Sequence, residues 1–135
     1  MKYLLLFYFI FFQGENEITI HNPWMRPAHE SFNSAFYCTI LNNSSEADTL
    51  YKVSSEISDD VEIHETFMKD DMMGMRPVKN LVIPAKDSLL FKPGGYHIML
   101  MNLKDNAIVN NSKEMILFFK RAGEIKVKAF VTSQH

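Results

Sequence analysis

Cysteine is almost missing from this 135-residue chain, with Cys38 its single example. One thiol makes no internal disulfide and no paired-cysteine metal or redox motif, so the fold has to rest on its core. Glycine and proline are sparse at five each, and no glycine-rich phosphate loop appears. Charge of one sign is lacking as well: 14 basic residues stand against 16 acidic ones, a formal net charge of −2. That balance offers nothing to a phosphate backbone and excludes nucleic acid as a partner. No apolar run reaches the ~20 residues that a bilayer-spanning helix needs. Beyond the N-terminus there is no long stretch of 3.6-residue periodicity, which excludes a helical bundle.

What is present begins with Met1-Lys2-Tyr3 and the apolar run Leu4 to Phe12, ending at Gln13-Gly14-Glu15. A basic head, a short apolar run and a polar stop read as a secretory leader. No A-x-A box fixes the cut, which is placed after Gly14, and no cysteine there can carry a lipid. Residues 1–14 are then a signal peptide and residues 15–135 one domain. Its 47% hydrophobic content suits one globular core. The expected location is the periplasm or another exported compartment, the expected state a monomer without stable membrane insertion.

Short β-branched and aromatic runs recur between turn residues. Nine strands are expected: 17–20, 32–41, 48–53, 61–66, 75–78, 88–91, 97–101, 115–119 and 125–132. Turns fall at Asn42 to Ser45, Ile83 to Asp87, Lys92 to Gly95, Asn110 to Ser112 and Arg121 to Glu124. Strands at this spacing predict an all-β sandwich or barrel. Cys38, inside the alternating run Ala35 to Leu41, reads as a small buried hydrophobe. Trp24 reads as a core aromatic.

Ten residues separate His64 from Met75, twenty-one separate Met75 from His97, and Met99 follows His97 at the second position. Two imidazoles and two thioethers in one spaced set point to Cu(I), because thioether sulfur is a soft neutral donor that hard cations ignore. In a strand His97 and Met99 share a face with Met101, while Ile98 and Leu100 share the other. The same alternation sends Val61 and Ile63 inward and His64 outward with Glu62, placing His64 at a strand end near solvent. Met75 follows Lys69 to Gly74, read as a flexible polar loop, so His64 and Met75 form the half expected to move. Met68, Met72, Met73 and Met101 are near enough to assist transfer, although no spacing rule singles them out. His21 and His29, eight residues apart with no third ligand nearby, do not read as a second site. Protonation of the imidazoles is expected to weaken the site near their ordinary pKa of ~6.5.

At these residues the chain resembles the periplasmic copper chaperones called PCuAC, whose motif appears here as His64, Met75, His97 and Met99. The resemblance also runs through Ile20 to Pro27, Val61 to Glu65, Met75 to Val78 and Lys92 to Leu100, covering nearly all of the chain after the leader. It implies a cupredoxin-like or immunoglobulin-like β-sandwich and one Cu(I) bound by those four side chains. It further implies delivery toward the dinuclear copper centre of cytochrome oxidase, with an oxidase subunit or a Sco-type assembly factor as exchange partner. Two positions depart from the pattern. Glu65 stands where many relatives carry a methionine, and the chain ends Val131-Thr132-Ser133-Gln134-His135 without a His- and Met-rich tail. A second, Cu(II)-type site is therefore not expected.

Three other function classes fit less well. A blue-copper electron carrier needs a cysteine near its C-terminal histidine, and Cys38 is far upstream of His97. A metal-free β-sandwich for adhesion or assembly predicts that leucine replaces Met75 and Met99 without loss. An enzyme lacks any Ser/His/Asp set or paired carboxylates in a credible context, and a Met/His shell leaves no position for an activated water.

Overall fold

The computed structural model describes residues 17–133, which fold as ten strands with no helix among them. The leader expected at residues 1–14 and the terminal His135 lie outside the described residues. In chain order the strands are β1 (Ile18–Met25), β2 (Ser34–Asn42), β3 (Asp48–Ser55), β4 (Asp60–Lys69), β5 (Met72–Pro77), β6 (Leu81–Ile83), β7 (Asp87–Leu90), β8 (Tyr96–Met101), β9 (Ser112–Phe119) and β10 (Gly123–Val131). They pair in the order β5-β4-β8-β2-β1-β10-β9-β3-β6, with β7 joined to β2. The β1–β10 pairing is parallel and the others are antiparallel.

Alternation decides which face of each strand is buried. Phe36, Cys38 and Ile40 on β2, Ile98 and Leu100 on β8, and Met115, Leu117 and Phe119 on β9 recur at every second residue, all essentially inaccessible. They share one core with Leu50, Ile83 and Val131. Strands from both ends of the pairing order thus face the same interior, and the sheet folds over itself as a β-sandwich. Each such side chain contributes about 1.5–3 kcal/mol by leaving water. With one cysteine and no bridge, this burial carries the fold. Cys38 is the buried hydrophobe expected, and burial pushes its thiol up to about 12. Iodoacetamide at mildly alkaline pH should leave Cys38 unmodified in the native protein and label it once urea unfolds the chain. Equal labelling in both states would contradict this placement.

Several expectations need correction. The short strand β6 was not expected, because three residues beside Pro84 show no alternating run. β1 extends to Met25: Asn22 takes a positive φ of 49° and the register shifts between His21 and Trp24, so a bulge lets the strand pass Pro23. Trp24 is only half buried. It lies on the sheet's outer face against Tyr37, ring centroids 4.6 Å apart, while Met25 takes the core position. The flexible loop expected at 69–74 is a β-hairpin, with β4 running to Lys69 and β5 starting at Met72. Asp70 and Asp71 both have positive φ, 51° and 61°, the geometry of a two-residue type I′ turn.

Candidate metal centre

His64 and His97 are direct cross-strand partners on β4 and β8, and Glu62 opposes Met99 on the same pair of strands. One strand further out, Met75 on β5 opposes Thr66 on β4. Because side chains alternate, His64, Thr66, Met75, His97 and Met99 all belong to the face opposite Ile63, Ile98 and Leu100. The antiparallel register thus gathers all four spaced residues onto one outer face. His64 lies within β4 rather than at its end, its side chain 13% exposed. His97 is buried, Met99 half buried and Met75 mostly exposed on edge strand β5.

Met75, His97 and Met99 line one cavity of about 370 Å³, together with Arg26, Tyr37 and Gly94. His64 adjoins this group through His97, their ring centroids 5.6 Å apart and their planes at 66°. Each imidazole has one nitrogen committed to an oxygen acceptor. His64 Nε2 lies 2.7 Å from Glu62 Oε2, and His97 Nδ1 lies 3.1 Å from the Gly95 carbonyl. An acceptor at one ring nitrogen places the hydrogen there in neutral histidine and leaves a lone pair on the other. Those other atoms, His64 Nδ1 and His97 Nε2, are the two buried side-chain nitrogen or oxygen atoms without a hydrogen-bond partner among the described residues. Buried polar atoms are ordinarily paired. Two orphans on adjacent imidazoles of one face form a donor pair, and carboxylate or carbonyl support at the far nitrogen is the usual arrangement behind ligating histidines.

Burial holds His97 below the ordinary imidazole pKa; the neighbouring His64 adds to this, and the Gly95 hydrogen bond opposes it. His97 therefore keeps its lone pair to lower pH than a free imidazole does. Gly95 ties the parts together, since its carbonyl also accepts the Thr66 N–H at 3.3 Å. It follows Gly94, whose φ of +84° suits a residue without Cβ. On the reverse face Glu65 accepts from Arg76 Nε at 2.5 Å, and the Arg76 guanidinium covers the Phe67 ring, 4.8 Å from its centroid. Glu65 thus points away from the four-residue face. So does Cys38, which shares the core side of β2 with Phe36, whereas Ala35 opposes Met99.

The ligand spacing does not by itself mark Glu62 or Gly95 as supports of the site. The spacing of Glu62, two residues before His64 on a strand, was the available signal. Arg26 and Tyr37, joined by an Arg26 Nε to Tyr37 Oη hydrogen bond of 3.1 Å, reach the cavity only through tertiary pairing. His21 bonds Thr19 at 3.1 Å, and no group of three His, Cys, Asp or Glu side chains able to hold a metal exists among the described residues.

The model of the LpqE-like family matches residues 18–131. The chain belongs to the LpqE-like family. Among relatives, an uncharacterized protein of Rickettsia prowazekii (strain Madrid E) is 30% identical over 110 residues, 76% of this chain and 61% of that protein. A protein of Leifsonia xyli subsp. xyli (strain CTCB07) is 31% identical over 88 residues, 64% of this chain and 52% of that one. The chain thus spans between half and two thirds of the length of these curated relatives. This LpqE-like chain is similar in structure to the copper-bound PCuAC domain from PmoF2, with a TM-score of 0.74 and 25% identity over 87% of this chain and 94% of that one. The apo PCuAC domain from PmoF1 superposes with a TM-score of 0.73 and 26% identity, covering 87% and 95%. The CuI-DR1885 solution structure from Deinococcus radiodurans shares the fold, with a TM-score of 0.64 and 24% identity over 85% and 79%. The resemblance to PCuAC domains and the sandwich fold are thereby established for this LpqE-like chain.

Proposed function

We propose that this LpqE-like chain is a copper(I) metallochaperone, binding one Cu(I) through His64, Met75, His97 and Met99 and passing it to an extracytoplasmic acceptor. The observation that carries the reading is the pair of buried, unpartnered imidazole nitrogens, His64 Nδ1 and His97 Nε2, on the face shared with two thioethers. Neutral imidazole and thioether suit Cu(I), and zinc gains little from sulfur of this kind. Kinship with domains whose structures are described as copper-bound supports the same choice. The exposure of Met75 on an edge strand favours exchange over permanent retention, because an acceptor's thiolates can displace ligands one at a time. Exchange rather than catalysis is then the work of the site. Assembly of an oxidase copper centre is the delivery route we favour, on the resemblance to PCuAC chaperones.

Anaerobic titration of the exported domain with Cu(I), Cu(II) and Zn(II) tests this directly. One equivalent of Cu(I) is the expected result; binding of zinc alone would sink the proposal. Glu62→Gln probes the support behind His64, since an amide can turn its NH2 toward Nε2 and reverse the preferred tautomer. Cu(I) affinity, measured by competition with a chromophoric chelator, should fall about 10–100-fold, the usual cost of losing an outer partner. An unchanged affinity would show that Glu62 does not orient the ring.

A further inference from the structure

The four-residue face does not end at Met75. Met68 and Met73 are direct cross-strand partners one step nearer the hairpin tip, and Met73 precedes Met75 by two residues on the same strand. By alternation Met68 lies on the face of His64 and Thr66, and Met73 on that of Met75. Met72 falls on the other face with Gly74 and Arg76. Direct partners in an antiparallel pair have Cβ atoms about 4.5–5.5 Å apart, so thioethers on these stems can meet at one ion. Methionine usually fills gaps in cores, yet Met68 is 64% exposed and Met73 70%. Packing does not explain these two side chains.

We propose that Met68 and Met73, with Met75, form an accessory Cu(I) site at the tip of the β4–β5 hairpin, from which the ion moves inward to the imidazole pair. The inference rests on the copper reading above and adds an entry route to it. Cu(I) accepts two or three thioethers readily. Met75 is the shared ligand: as a bond forms to a lone pair on His64 or His97, a bond to Met68 or Met73 sulfur breaks. Copper stays Cu(I), and neither proton nor electron moves, since the accepting imidazole nitrogens carry no hydrogen. A site of thioethers alone binds more weakly than one with imidazoles, which sets the direction of transfer.

Methionine-methyl carbon-13 NMR of the full chain, titrated anaerobically with the acetonitrile complex of Cu(I), reads both sites in one spectrum. The first equivalent is expected to move the Met75 and Met99 methyls. A second, with Met75 already drawn inward, is held by the two remaining thioethers and should move Met68 and Met73 together and leave Met72 in place. In the double variant Met68→Leu with Met73→Leu, the second event should vanish and the first persist, because leucine keeps the apolar surface and removes only sulfur. Unmoved Met68 and Met73 methyls, or a second event that survives in the double variant, would overturn the accessory site. The copper reading itself fails separately, at the Met75 and Met99 methyls.

Discussion

Replacing His97 and Met99 together, His97→Ala with Met99→Leu, is expected to remove stoichiometric Cu(I) binding from this LpqE-like chain while leaving it folded. His97 is the most buried of the four proposed ligands, and its free Nε2 is aligned by the Gly95 carbonyl behind it. Loss of an outer partner alone costs a metal site about 10–100-fold in affinity, so losing two direct ligands should cost far more. What remains, His64 and exposed Met75, is one imidazole and one thioether without the enclosing side. The fold should survive because Ile98 and Leu100, which sit on the core face of the same strand, are untouched. Competition titration with a Cu(I) chelator measures the first part, and urea denaturation of the apo form the second. A double variant that still takes up one equivalent tightly would disprove the ligand assignment.

The largest effect on stability is expected away from the four-residue face, at Asp48. This carboxylate is buried at the start of β3 and accepts three backbone N–H groups: Thr49 at 2.7 Å and Arg121 at 2.9 Å on Oδ1, and Ala122 at 2.9 Å on Oδ2. Two of these come from the turn between β9 and β10, so one side chain fixes that hairpin to β3. Hydrogen bonds to a charged group contribute about 1.5–3 kcal/mol each, and buried donors left unpaired add a desolvation cost. Asp48→Ala should therefore lower the unfolding free energy by roughly 3–5 kcal/mol, a large part of the stability of a domain this size. Asp48→Asn keeps one acceptor oxygen and should cost less. Urea denaturation of the two apo variants beside wild type checks both size and order. A loss within ~0.5 kcal/mol for Asp48→Ala would place it among ordinary surface substitutions and refute the bracing role.

Sequence alone carried the sandwich and the four-residue set for different reasons. Alternation in β2, β8 and β9 is a local signal, and the core follows it residue by residue. Fixed spacing is also local, so His64, Met75, His97 and Met99 could be picked out before any pairing was known. Hidden were the features that depend on register. Nothing in the run Lys69 to Gly74 announces a hairpin, since aspartate pairs enter left-handed turns less often than Asn-Gly or Asp-Gly. Reading that run as loose made the His64 and Met75 half look mobile, when β4 and β5 hold it as sheet. Residue type alone points Trp24 to the core, yet the bulge beside Pro23 turns it outward onto Tyr37. The second acceptor role of Gly95, to Thr66 and to His97, depends on how β8 meets β4.

The interleaving of Ile98 and Leu100 with His97 and Met99 on β8 sets how this chain tolerates genetic change. A point substitution on that strand strikes one face and spares the other, so outer-face residues can be exchanged over generations without disturbing the core. An insertion or deletion of a single residue has the opposite character. It would turn the imidazole and thioether into the interior and the two aliphatic chains into water, ending folding and the outer-face arrangement in one event. Length in Tyr96 to Met101 is thus under tighter constraint than identity.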